Sequence, residues 1–326
     1  MFDRLKDYLR LGRIFNAEIL ALLYVLTYLY TSKLYEIEYD YRIIVGLFFI
    51  GILSHVWGAF NNDRLDLDTD KNAEYCSHKP LVTGSISLKN AKIIEYSIFF
   101  IIIALVLIIS PKISTLGYLL AAYFLAYLYN KYNDSNMFIN VVGQMYASFA
   151  ILVSMSIITD FNFIVFLSAI VIGMNGVYLN IVEADLKDIK CDTVNVPISL
   201  GLKFKGKKAI NIKKFYAINE IIKILMYIFV FYILYLEEVD INIKIIAIIL
   251  FVLNFTVRLF MFKRLSSDRE KMKPYFALQE FTSILFISVI YVIISPIVPI
   301  IVILIVILWL SVWNKILWGT YLRPQV

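Results

Sequence analysis

Charge is what this sequence has least of. Asp, Glu, Lys and Arg make up only 17% of the 326 residues, against 61% hydrophobic residues and a mean hydropathy of +0.78. An ordinary soluble domain is about 45–50% apolar. A water-soluble fold has no interior large enough to hide that excess, so a soluble globular protein is excluded. The few charges gather in short segments between long apolar runs, the punctuation of a chain that crosses a bilayer repeatedly. Cysteine is also scarce. Cys76 and Cys191 have no partner at metal-site spacing, and both stand in charged segments assigned below to the cytoplasm, so a disulfide is not expected. Low-complexity tracts and a detachable soluble domain are lacking, and no nucleic-acid partner is expected. No removable signal is recognisable: Met1 to Arg13 is a basic amphipathic stretch that runs into a full-length apolar span, which is expected to remain as an anchor.

A hydrocarbon core about 30 Å thick needs roughly 20 apolar residues as a helix. Runs of that length occupy residues 16–36, 42–60, 93–110, 113–130, 137–158, 162–182, 214–236, 243–262 and 276–295. A tenth, 297–313, depends on Ser295-Pro296-Ile297-Val298-Pro299, where two prolines either turn the chain or kink one long helix. The expected fold is all-α: a polytopic membrane bundle of nine or ten transmembrane helices, forming one integral domain over residues 1–326. Lys and Arg collect before the first span and after the second, fourth, sixth and eighth. Alternate loops such as Glu36-Ile37-Glu38-Tyr39-Asp40 and Glu237-Glu238-Val239-Asp240 are acidic. The positive-inside rule then places the amino terminus and the even-numbered loops on the cytoplasmic side of the cell membrane. Two cytoplasmic segments, at about 61–92 and 183–213, are far longer than the rest, and long polar loops on one face tend to carry function.

The first long segment opens with Asn62-Asp63-Arg64-Leu65-Asp66-Leu67-Asp68-Thr69-Asp70, the pattern NDxxDxxxD. If the helix continues, Asp63, Asp66 and Asp70 share a face, since spacings of three and four bring side chains within about 5–6 Å. Three clustered carboxylates repel one another and make sense around a divalent cation. Hard oxygen ligands select magnesium, completed by waters and substrate phosphates. The second segment repeats the spacing in Asp185, Asp188 and Asp192. With both sets on one membrane face, they are candidates to oppose each other as a diphosphate clamp. Solvated loop aspartates are the alternative reading of either cluster alone.

These motifs resemble those of the UbiA superfamily of intramembrane prenyltransferases. Asn62, Asp63, Asp66 and Asp70 match its first aspartate motif, and His78-Lys79-Pro80-Leu81-Val82-Thr83-Gly84-Ser85-Ile86-Ser87 resembles the RPLxSGxIS stretch that follows, with Lys79 in place of the usual arginine. The second motif departs from the family's DxxGD and TLP elements: here Asp188 and Asp192 precede Val194-Asn195-Val196-Pro197 at shorter spacing. Asp188 and Asp192 are favoured as ligands, with Asp185 as the third carboxylate. The resemblance implies a helical bundle around a central, lipid-open cavity, and Mg2+-dependent transfer of a prenyl group from a polyprenyl diphosphate. The acceptor would be an aromatic quinone precursor or a glycerophosphate lipid. It further implies a catalytic role for Asp66 and Asp188, with Tyr129 and Lys131 at the end of the fourth span near the substrates.

Asn62, Arg64, Lys79, Lys187 and Lys190 are candidate diphosphate contacts, although ordinary positive-inside placement also explains the basic ones. Asn140, Gln144, Asn175 and Asn180 interrupt apolar spans and should face the interior, bonding between helices or recognising the acceptor. Glu220 and Lys223 are spaced to pair at i,i+3, Arg258 is placed to snorkel, and His55 is expected to be a satisfied buried histidine. Two other functions share parts of the pattern. Phosphoribosyl transfer to a polyprenyl phosphate also needs a metal-bound diphosphate. A divalent-cation transporter would want its carboxylates at the midplane rather than at span ends.

Overall fold

The computed structural model describes residues 2–72, 76–133, 136–188, 195–206, 208–265 and 272–321. The amphipathic amino-terminal stretch forms helix α1, Phe2–Leu11, and a 3-10 turn, Ile14–Asn16, leads into α2, Glu18–Leu34. Asp40 caps α3, Tyr41–Leu65, by accepting from the Arg42 amide at 2.8 Å. A short α4, Leu67–Lys71, follows. Ser87 caps α5, Leu88–Ile109, and α6 is Ile113–Tyr132. Asn136 caps α7, Met137–Gly143, and after Gln144 and Met145 the path continues as α8, Tyr146–Ile158. Helix α9, Phe163–Leu179, widens into a π turn, Asn180–Ala184, before α10, Asp185–Asp188. Then come α11, Val196–Ser199, and a hairpin of β1, Lys203–Lys205, and β2, Lys208–Ile210, with Phe204 opposite Ala209. The chain ends with α12, Ile212–Leu236, α13, Ile241–Leu265, α14, Lys273–Ser288, and α15, Val298–Trp318.

Among the described residues nine helical stretches are long and apolar enough to cross a membrane. Helix α6 has spanning length, 20 residues, but its tyrosines lower its hydropathy and it is not one of the nine. The proline segment resolves into a break. A 3-10 extension of α14 stops at Ile293 and α15 starts afresh at Val298, with Pro299 in the first turn, where its missing N–H costs nothing.

The chain divides into two compact units. The first comprises Met1–Lys131, Phe149–Asn162 and Leu304–Gln325. Within it α2 packs on α3 and α3 on α5. Gly51 permits the first of these contacts, because a β-carbon there would run into the backbone of Ala21. Leu11, Phe60, Leu81, Ile86 and Ala91 form a buried cluster that fixes α1 and the segment after α4 to the carboxyl-terminal end of α3. Trp309 donates to the Ile14 carbonyl at 2.8 Å, tying α15 to the amino-terminal segment.

The second unit comprises Tyr132–Ser148 and Phe163–Ile303. Helix α9 packs on α12 and α13 on α14, around a core that includes Tyr178, Phe215, Met261 and Phe262. Its buried charges are partnered differently from the i,i+3 expectation. Glu220 takes Arg258 with both oxygens, Nε at 2.9 Å and Nη2 at 2.7 Å. Lys223 donates to Asn175 Oδ1 at 2.9 Å and Ser283 Oγ at 3.0 Å, and lies 4.1 Å over the Tyr178 ring. A guanidinium fork matches a carboxylate on the next helix, whereas an ammonium is satisfied by neutral acceptors and an aromatic face. Arg258 therefore does not snorkel: it is fully buried and also donates to Tyr227 at 2.9 Å.

Candidate functional site

The first aspartate motif sits where α3 outlasts its apolar run. Two amide bonds, Asp66 N to Asn62 O at 2.9 Å and Asp70 N to Asp66 O at 2.8 Å, carry a helical path across the bend at Asp66. The three-then-four spacing is thereby kept. Asp63 and Asp70 are buried, at 3% and 7% exposure. Both meet the Lys79 ammonium, whose Nζ is 3.2 Å from Asp63 Oδ1 and 2.6 Å from Asp70 Oδ2. Asp63 Oδ1 also accepts from Arg13 Nη2 at 2.7 Å, and the same guanidinium nitrogen donates to Asn62 Oδ1 at 3.0 Å. The other end of the Asn62 amide donates to Asp66 Oδ2 at 2.7 Å.

These charges reinforce one another. The Asp63 carboxylate holds the Arg13 guanidinium above its ordinary value against the opposing effect of burial. Burial pulls the Lys79 ammonium down, but Asp63 and Asp70 outweigh it and leave it above the usual lysine value.

Arg13 was not among the residues singled out from the sequence. It closes a basic stretch that ordinary positive-inside placement explains. What marks it is its backbone, left-handed at φ 46° and ψ 41°, a conformation that non-glycine residues hold mainly where surroundings enforce it.

Arg64, a candidate diphosphate contact, is held by Glu95 on α5, Nε to Oε2 at 2.5 Å and Nη2 to Oε1 at 3.0 Å. Asn61 donates to Glu95 Oε1 at 2.7 Å and accepts from Asn130 at 2.9 Å, so α3, α5 and α6 meet beside the motif. Lys131 lies 5.5 Å over the ring of Tyr127, and Tyr129 is half-buried in the same turn of α6. His55, two turns before Asp63 on α3, is satisfied in part: its ring bonds the Arg13 backbone, while Nε2 is shielded and has no hydrogen-bond partner among the described residues.

In the second unit, Asp185 follows the π turn and is buried. Its Oδ2 accepts from the Val196 amide at 3.0 Å, and its carbonyl from Asn195 Nδ2 at 3.1 Å, which closes the chain after residue 195 onto α10. Asn180 donates to Asn140 at 2.8 Å, the interhelical role expected for these two. The side chains of Lys187 and Asp188, and residues Lys190 and Asp192 entirely, lie outside the described residues.

Among the described residues no three His, Cys, Asp or Glu side chains converge into a metal-binding group. Two do converge on a cation: Asp63 and Asp70 share Lys79 Nζ, with Asp66 one turn away from each in sequence. Hard carboxylate oxygens gathered around one positive charge suit magnesium in donor type, though in this state the charge belongs to the lysine.

A multi-spanning helical fold with buried, cation-bound aspartates at a helix end defines an integral membrane protein with a polar site at the end of a span. The chain belongs to the UbiA prenyltransferase family, whose model matches residues 21–290. It resembles a solved structure of digeranylgeranylglyceryl phosphate synthase, with 20% identity, a TM-score of 0.66 and coverage of 90% of this chain and 99% of that one. A UbiA homolog from Archaeoglobus fulgidus bound to GPP and Mg2+ is 18% identical, with a TM-score of 0.64 and coverage of 89% and 99%. The apo UbiA homolog from Aeropyrum pernix K1 is 14% identical, with a TM-score of 0.63 and coverage of 86% and 96%. At these identities the likeness is one of fold. No curated protein matches the chain significantly.

Proposed function

We propose that the chain is a Mg2+-dependent prenyltransferase. It would move a polyprenyl group from its diphosphate to a lipid-soluble or interfacial acceptor, either an aromatic quinone precursor or a glycerophosphate lipid. The observation that carries this reading is the convergence of buried Asp63 and Asp70 on one cation at the end of a membrane-spanning helix, in a chain of this family. A fold neighbour bound to GPP and Mg2+ supports the donor and the metal, and another named for digeranylgeranylglyceryl phosphate synthesis makes the glycerophosphate acceptor worth testing first.

Asp63, Asp66 and Asp70 are the proposed metal ligands of the first motif, and Asp188 and Asp192 those of the second. Asp185 is the weaker candidate because it already bonds the Val196 amide. When bound, the metal supplies positive charge to the phosphate oxygens as pyrophosphate departs. Arg13 and Lys79 add positive charge where that negative charge develops, with Asn62, Arg64, Lys187 and Lys190 as further proposed contacts. Trp57 and Tyr123, packed edge to face at 4.4 Å beside Phe99, supply aromatic surface suited to shielding an allylic cation. Tyr129 and Lys131 are proposed to face the substrates. The Lys and Arg distribution supports a cytoplasmic position for the amino terminus and both motifs.

The test is incubation of purified protein with Mg2+, labelled geranylgeranyl diphosphate and both acceptor classes, followed by product mass. A prenylated product lost on chelation supports the reading. Transfer of phosphoribose, or divalent-ion flux into liposomes without any prenyl donor, would replace it.

A further inference from the structure

We propose that Lys79 is a place-holding cation that makes metal binding conditional on the diphosphate. This rests on the reading of Asp63 and Asp70 as metal ligands. Both carboxylates are buried, and a buried carboxylate without a counter-charge is costly. Lys79 supplies that charge by reaching both at once, 3.2 Å to Asp63 Oδ1 and 2.6 Å to Asp70 Oδ2.

An ammonium and a divalent ion cannot share these oxygens. Magnesium binds oxygen at about 2.0–2.1 Å and demands near-octahedral order. With Lys79 in place its entry would set two positive centres within a hydrogen-bond length of the same ligands. Free metal therefore meets a site that is already neutralised and must break both lysine ion pairs to enter it. A diphosphate changes this balance by bringing several negative oxygens, which receive the displaced ammonium.

The structure allows such an exchange in a side chain alone. The backbone at Lys79 is pinned in a turn, its amide donating to Cys76 O at 2.9 Å and its carbonyl accepting from Thr83 N at 3.0 Å. The side chain is a flexible four-carbon stem, 21% exposed. Arg13 is built for the opposite role. One nitrogen spans Asp63 and Asn62 from a left-handed backbone position, so Asp63 keeps a counter-charge when Lys79 leaves. By linkage, whatever factor the diphosphate adds to metal affinity, the metal adds to diphosphate affinity, and couplings of this kind are usually about 5–150-fold.

Mn2+ binding to the detergent-solubilised full chain, followed by electron paramagnetic resonance with and without inorganic pyrophosphate, tests this. The wild type should bind Mn2+ weakly alone and roughly tenfold more tightly with pyrophosphate. Lys79→Met should bind Mn2+ alone roughly tenfold more tightly than wild type and lose most of the pyrophosphate effect. Lys79→Arg keeps the charge and should restore the dependence, while size-exclusion profiles check that each variant is folded. If Lys79→Met binds Mn2+ alone no more tightly than wild type while Asp63→Asn abolishes binding, the metal reading stands and the exchange is overturned. If no form binds Mn2+ with or without pyrophosphate, the metal site itself is wrong.

Discussion

Arg64 grips Glu95 through two hydrogen bonds, Nε to Oε2 at 2.5 Å and Nη2 to Oε1 at 3.0 Å, with the Glu95 side chain only 2% exposed. Glu95 also takes Asn61, which in turn takes Asn130, so this pair holds the last turn of α3 against α5 and α6. Removing one partner of a buried pair strands the other, at a typical cost of about 3–5 kcal/mol. Glu95→Ala should therefore lower the melting temperature sharply in detergent. The double change Glu95→Leu with Arg64→Met should recover much of the loss. A double variant as unstable as the sum of both singles would show that the pair is not the cause.

The contact of α2 with α3 depends on Gly51, whose missing side chain faces the Ala21 backbone. Backbone cannot yield as a flexible side chain does, so Gly51→Ala should cost about 1–3 kcal/mol through forced separation of the helices. Gly117 on α6 has nothing within 4 Å of an added β-carbon, and Gly117→Ala should be neutral or stabilising by up to about 1 kcal/mol. Parallel thermal melts check both, and equal behaviour at the two glycines would contradict the packing account.

Burial pushes the Glu237 carboxyl, just past the end of α12, up to about 8. An acid whose value is raised by folding holds a proton that the unfolded chain would release. Its contribution is complete below the ordinary value near 4.5 and is lost as pH rises through about 8. Wild type and Glu237→Gln should melt alike at about pH 5, and the variant should melt higher at about pH 9. A difference that does not change with pH would refute the assignment.

The spans were readable because bilayer thickness imposes one length and one polarity, but their ends obey other forces. Apolar reading stops the second span at Phe60. The helix runs on to Leu65 because Asn61 and Arg64 find partners on α5 and α6. The start of α5 moves back to Leu88 because Ser87 caps it, a local signal outweighed by the lysines around it. In the first motif, Asp63 and Asp70 meet at Lys79, as the spacing allows, but the spacing was silent about Arg13, which reaches Asp63 from 50 residues away. The use of Asp185 to hold the Val196 amide is likewise a tertiary contact that no periodicity encodes. Glu220 and Lys223 show the opposite error: their spacing permitted a pair, and a better-matched partner on the next helix took the carboxylate.

Metal-dependent prenyl transfer by the aspartate motifs is tested most directly by assaying wild type, Asp66→Ala and Asp188→Ala with Mg2+, labelled geranylgeranyl diphosphate and both acceptor classes. The wild type should give a prenylated acceptor that disappears on chelation, and each variant should lose at least about 10²-fold in rate, the scale of removing one key electrostatic group. Wild-type turnover in both variants would contradict the account.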